Sequence, residues 1–398
     1  MKFRFLISAV GIAAIGLLTN CGSKNSSSSS GTGVLYVVKQ VKPTDPKYGI
    51  STYSISLSNG ALTAFGTTVA TGNAPSAMIL TPAGDAAFVA NSADDTISAY
   101  KVGTDSTLTA AGSTHCPTRP VALATNASGK FLFVANQMSD TVSVFTIGQG
   151  ATLTEVAGSP YTTVPASVPL PAGPVAVATL GNFLYVANQS SNTVAVFQFD
   201  STSGALTPLS PYFVGTAPAG LLSVTLPVGT ATPQSQFLYV TNSGSNNISA
   251  FTVCAIQSQT CAPTGTPDGK LTPITGSPFS TGTKPGFMAT NSTGEFLYTV
   301  DTGANQISGF RIAPATGTLT TANAGTMNTG SNPVWAAIRF GSTTTATGIS
   351  TTTDFIYVAN SGGSSVSGYS LNTTTGQLSL IANTPLIVGD QPTAVAVK

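Results

Sequence analysis

The sequence predicts an all-β chain, a seven-bladed β-propeller of four-stranded blades, from three observations. A hydrophobic phrase with an aromatic third residue recurs seven times, its aromatics 45 to 59 residues apart. In six of the seven copies a short polar turn and an alternating run follow, the period-two signature of a strand. The two ends of the repeat region are complementary, each lacking a strand that the other carries. Composition agrees with this reading. Of 398 residues only 7% are Asp, Glu, Lys or Arg, whereas 41% are hydrophobic and Gly (41) and Pro (25) abound, which excludes a disordered chain. A formal charge of +1, with 14 Lys and Arg dispersed among 13 acids, excludes nucleic acid as a partner. The one histidine, His115, excludes a His-rich metal centre. The Asp94-Asp95 and Asp140 turns lack the spacing of a calcium loop, so neither a metal nor a cofactor is expected.

Residues 1–20 read as an export signal. Lys2 and Arg4 precede an apolar run from Phe5 to Leu18, which has the length of a signal-peptide core and is short for a membrane span. The run ends in Leu18-Thr19-Asn20-Cys21-Gly22. This segment resembles the lipobox of bacterial lipoproteins, whose cysteine is acylated and becomes the first mature residue. Cys21 is therefore the expected anchor to the membrane. Residues 21–33 form the acylated cysteine and a Ser/Gly-rich flexible tether (Lys24 to Gly33, KNSSSSSGTG). Gly22 lacks the aspartate that retains lipoproteins at the inner membrane, so an outer-membrane address, on its periplasmic or surface face, is expected.

The propeller then occupies residues 34–398. The repeated phrase reads VLYVVK at Val34, AAFVAN at Ala86, FLFVAN at Phe131, FLYVAN at Phe183, FLYVTN at Phe237, FLYTVD at Phe296 and FIYVAN at Phe355. Alternating runs such as Thr96-Ile97-Ser98-Ala99-Tyr100 supply a third strand, and Gly-x-Leu-Thr phrases such as Gly317-Thr318-Leu319-Thr320 begin a fourth. The remaining strand begins with proline, at Pro75, Pro120, Pro174, Pro218, Pro285, Pro333 and Pro392. Four short strands per unit of about 50 residues make a propeller blade. Val34 to Lys39 has no proline strand before it, and Pro392 to Val397 has nothing after it. Closure is therefore expected through the C-terminal strand pairing into the first blade, which removes two exposed edges.

The phrase Phe237-Leu238-Tyr239-Val240-Thr241-Asn242, followed by Asn246-Asn247-Ile248-Ser249-Ala250-Phe251, resembles the YVTN repeat. From Val34 to Val397 the chain is similar to the seven-bladed propellers of the lactonase-like family, which includes 6-phosphogluconolactonases and carboxymuconate-lactonizing enzymes. In catalytic members the resemblance implies a Pro-Arg-His inner strand and a Glu after the Asn that ends the second strand. Here the corresponding slots hold Pro120-Val121-Ala122 and Pro285-Gly286-Phe287, and Ser92, Gln137, Gln189, Ser243 and Ser361. A lactonase needs a base for water and a donor set for the oxyanion, and these slots supply neither.

The departures from the repeat cluster in blades six, seven and one. Lys39 and Asp301 replace the usual Asn. Phe287 and Trp335 stand where the other blades carry Ala or Gly, and Lys284 enters the sixth proline strand. Beside them the loop from Lys39 to Gly49 gathers Lys42, Asp45, Lys47 and Tyr48. Each has a structural reading too: the aromatics as wedge fillers, Asp301 as a turn cap, the lysines as a solvated loop. Together they suit a carbohydrate, a small acidic ligand or a partner-protein loop. In an exported setting Cys254 and Cys261 are expected to form a disulfide; Cys116 then stays free, unless it pairs with one of them. The expected function is a non-catalytic binding scaffold on the cell envelope, the alternative a lactone hydrolase with unconventional residues.

Overall fold

The computed structural model describes residues 12–13, 33–40, 49–164, 171–227, 234–255, 267–341, 343–344, 350–351 and 353–398. The expected anchor Cys21, the tether as far as Thr32, Cys261 and the loop residues Lys42, Asp45, Lys47 and Tyr48 lie outside them; Gly33, the expected end of the tether, instead begins a strand. Seven antiparallel sheets form the seven blades. Apart from a single 3-10 turn at Gln149–Ala151, the described residues hold no helix, and none is long and apolar enough to cross a membrane. The first blade consists of Pro392–Val397, Gly33–Lys39, Gly49–Ile55 and Leu62–Val69 in that order. The C-terminal strand thus enters beside the first one, with Leu35 opposite Val397 and Val38 opposite Ala394. Reciprocal bonds between Val34 and Lys398, at 3.0 and 2.9 Å, lock the last residue in place.

Each inner strand begins on its proline, and the register shifts directly after it in all seven blades. Proline has no N–H to give to the ladder, so a strand start with a bulge is where a sheet can hold it. The residue before the proline adopts a left-handed conformation in blades two to seven: Ala74, Arg119, Gly173, Ala217, Lys284 and Asn332. In five of these the backbone N–H is held by a side-chain oxygen of the preceding blade, as Asn246 holds Lys284 at 2.8 Å and Asp95 holds Arg119 at 2.7 Å.

The repeated phrase also joins one blade to the next. Its first aromatic packs on the turn glycine of the following blade, Phe237 on Gly317 and Phe355 on Gly60 among others. Its third-position tyrosine donates to the carbonyl of that same turn: Tyr239 to Gly317 and Tyr357 to Gly60, both at 2.7 Å. The last of these bonds runs from blade seven to blade one and completes the ring. Each glycine has a positive φ, which leaves its carbonyl free for the hydroxyl and its absent Cβ free for the ring. The core accordingly lies within and between blades, around Tyr36, Tyr185, Tyr239 and Tyr357, all buried. At the inner edge of the fourth blade Ile12–Ala13 pairs in parallel with Ala176 and Val177.

Candidate functional site

The asparagine ending the second strand is a structural clamp. Its amide donates across the next turn, Asn91 to Thr96 and Ser98 at 3.1 and 2.9 Å, and Asn360 to Ser365 and Ser367 at 3.2 and 2.9 Å. Asp301 stands in this slot in blade six with the polarity inverted. A carboxylate cannot donate, so Ser308 donates to Oδ2 at 2.5 Å, and Thr299 and Thr281 donate to Oδ1 at 3.0 and 3.4 Å. The side chain is 0% exposed. Burial pushes its pKa up to about 6, and the three hydroxyl donors only partly oppose this. The folded form therefore holds the proton more tightly than an unfolded carboxyl, with its ordinary value near 3.8. Its contribution to stability is fully present below about pH 4 and is lost as pH rises toward 6, by at most about 3 kcal/mol for a two-unit shift. Asp301→Asn is expected to flatten this part of the stability profile and to raise the melting temperature at pH 7. Parallel thermal melts of the two proteins from pH 4 to 8 check it.

Lys39 fills the same slot in blade one. It is 7% exposed, and its Nζ donates to the Val388 carbonyl in the loop entering that blade, at 3.3 Å. Lys284 is exposed, and its backbone is one of the latched left-handed positions. Phe287 and Trp335 lie in adjacent inner strands, buried, with ring centroids 4.9 Å apart and planes 31° from parallel. The structure thus brings the aromatic pair together and sets Lys39 and Asp301 inside their own blades. Cys254 is disulfide-bonded, and its expected partner Cys261 lies outside the described residues. Cys116 is a buried free thiol, whose pKa is pushed up to about 12 by burial and by the Asp95 and Glu155 carboxylates.

The aromatic pair borders a cavity of about 610 Å³ along the propeller axis. Its wall draws on the inner strands of all seven blades, including Met78, Thr125, Thr179, Ser223, Phe287, Trp335 and Val395. It reaches the turns between inner and second strands at Pro82, Ala127, Gly181 and Ser292, on the face opposite the proline entries. A cavity of this size suits a small organic molecule. Its charged lining residues, among those described, are Arg339 and Lys398. Lys398 Nζ donates to the Gly103 carbonyl at 2.9 Å. Arg339 donates through Nη1 to the Phe340 carbonyl, while its Nε is buried with no hydrogen-bond partner among the described residues. Burial lowers the Arg339 pKa, against the opposing pull of Tyr357 and Asp354. Asp354 itself is taken up by the backbone N–H groups of Ser292 and Gly341, at 2.8 and 3.2 Å. Sequence reasoning missed Arg339, although it is the one charged residue within the seven inner strands.

Residues 26–115, 66–170 and 117–222 match the model of the lactonase family, described as a seven-bladed β-propeller. No curated protein is similar in sequence. Among solved structures, a candidate 6-phosphogluconolactonase of Bacteroides uniformis is 18% identical with a TM-score of 0.70, covering 92% of this chain and 99% of its own. A counterpart from Bacteroides fragilis is 19% identical with a TM-score of 0.70, covering 94% and 100%. The periplasmic gluconolactonase of Pseudomonas aeruginosa is 17% identical with a TM-score of 0.66, covering 92% and 99%. At these identities the likeness is one of fold.

Proposed function

Because the chain is a member of the lactonase-like seven-bladed β-propellers, we propose that it is an exported, lipid-anchored binding propeller that holds a small acidic ligand in its axial cavity. The cavity carries this reading. Its lining combines an aromatic pair with the guanidinium of Arg339, and the lining residues described include no carboxylate, imidazole or thiol to activate water. The basic start, apolar run and Cys21 support export and anchoring at the envelope. Removal of residues 1–20 would uncover the inner edge of blade four, where Ile12–Ala13 pairs. The named Pseudomonas and Bacteroides structures favour a second reading, hydrolysis of a sugar lactone.

Trp335 is the sole tryptophan and lines the cavity, so its emission reports directly on occupancy. Titration with a range of carboxylates, sugar acids among them, and with neutral sugars is expected to give a saturable change with at least one acid and none with neutral sugars. Emission unresponsive to every acid would remove the cavity as the binding site.

A further inference from the structure

Resting on the cavity reading above, we propose that the ligand is an amphiphilic monocarboxylate, an apolar chain or ring ending in one anionic head, rather than a polyhydroxylated acid. Trp335, Ala337 and Arg339 alternate along one inner strand and so share a face of the sheet. Four residues at about 3.3 Å set the Cα atoms of Trp335 and Arg339 roughly 13 Å apart along it. Between them stands Ala337, whose small side chain leaves that length of wall open. The deep end is apolar, with Phe287 packed on Trp335 and with Met78 and Val395 also lining it.

A polyhydroxylated ligand would need a hydrogen-bond partner for each hydroxyl it loses from water, and this end of the cavity offers carbon instead. An alkyl or aryl body is stabilised there by the water it sheds, about 25 cal/mol per Å² buried. At the other end the carboxylate meets the guanidinium of Arg339, which lines the cavity; its Nε is packed on Gly33, so the terminal nitrogens are what it offers a ligand. Planar guanidinium donors match a carboxylate in geometry. Asp354 does not compete for that guanidinium at close range: the one ion pair within 4.0 Å among the described residues joins Arg311 to Glu295. Asp354 takes its hydrogen bonds from Ser292 and Gly341.

The probes are decanoate, decanol, decyltrimethylammonium and gluconate, each titrated against Trp335 emission in the intact protein and in Arg339→Gln. Decanoate is expected to bind about tenfold or more tightly than decanol, the ratio of one charge-assisted contact, and decyltrimethylammonium to bind more weakly than either. Arg339→Gln is expected to erase the advantage of the acid while leaving decanol unchanged. Should that variant not fold, Ala337→Leu, which narrows the wall between the two ends, is expected to weaken decanoate by at least about tenfold. Equal affinity for decanoate and decanol would overturn the proposal. So would gluconate binding without decanoate binding, which leaves an acid-binding cavity intact. Silence towards both acids removes the cavity reading and this proposal with it.

Discussion

Deletion of residues 391–398 is expected to leave a chain that does not stay soluble. The segment supplies the whole inner strand of blade one, Pro392–Val397, in which Ala394 and Val395 are buried. It pairs with Leu35 to Lys39 and is pinned at its ends by the Val34–Lys398 pair and by Gln40 donating to Gln391 at 2.8 Å. Without it the strand Gly33–Lys39 presents an unpaired edge to the channel, and the neighbouring inner strands lose the surface they pack on. Unpaired, flat apolar edges template association with other chains. Soluble yield and light scattering after expression are the readouts. A truncated protein as soluble and as heat-stable as the full chain would show that the ring does not depend on its C-terminal strand.

A matched pair of glycine substitutions is expected to differ by about 2 kcal/mol or more. Gly317 and Gly66 share nearly the same backbone, φ +71° and +69°, so changing either to Ala incurs the same left-handed penalty of about 1 kcal/mol. Their surroundings differ. A Cβ on Gly317 would lie 2.5 Å from Phe237 Cε1 and 2.6 Å from Ile274 Cδ1, whereas one on Gly66 meets nothing within 4 Å. Both neighbours of Gly317 belong to the preceding blade and sit in a closely packed core with no room to yield. Gly66→Ala should therefore cost about 1 kcal/mol and Gly317→Ala about 3 kcal/mol or more, the overpacking adding to the backbone strain. Denaturant unfolding of the two variants separates the terms. Equal losses would mean that the aromatic–glycine contact does not couple the blades.

The architecture was legible because each blade repeats residues that a propeller cannot do without. The prolines start the inner strands, the Tyr and Phe of the repeated phrase reach the next blade's glycine, and Pro392 to Val397 completes the first sheet. The site was legible only in part. Phe287 and Trp335 stood out as large residues in a tier of Ala and Gly, and they do border the cavity together. Lys39 and Asp301 stood out equally, yet both are buried as the asparagines are. A break in a repeat shows that a residue differs, not which way its side chain points. The companions that bury Asp301 were nevertheless in the sequence: Ser308 lies seven residues on, as Ser98 does from Asn91 and Ser367 from Asn360. Arg339 escaped notice because its significance depends on the axial cavity, which only the closed ring creates.

The most direct test of a binding rather than a hydrolytic propeller is the rate at which purified protein opens gluconolactone and 6-phosphogluconolactone, followed by acid release at constant pH. The account predicts the spontaneous rate, with the lactone otherwise unchanged. Turnover that scales with protein concentration would contradict it and assign the chain to the hydrolases.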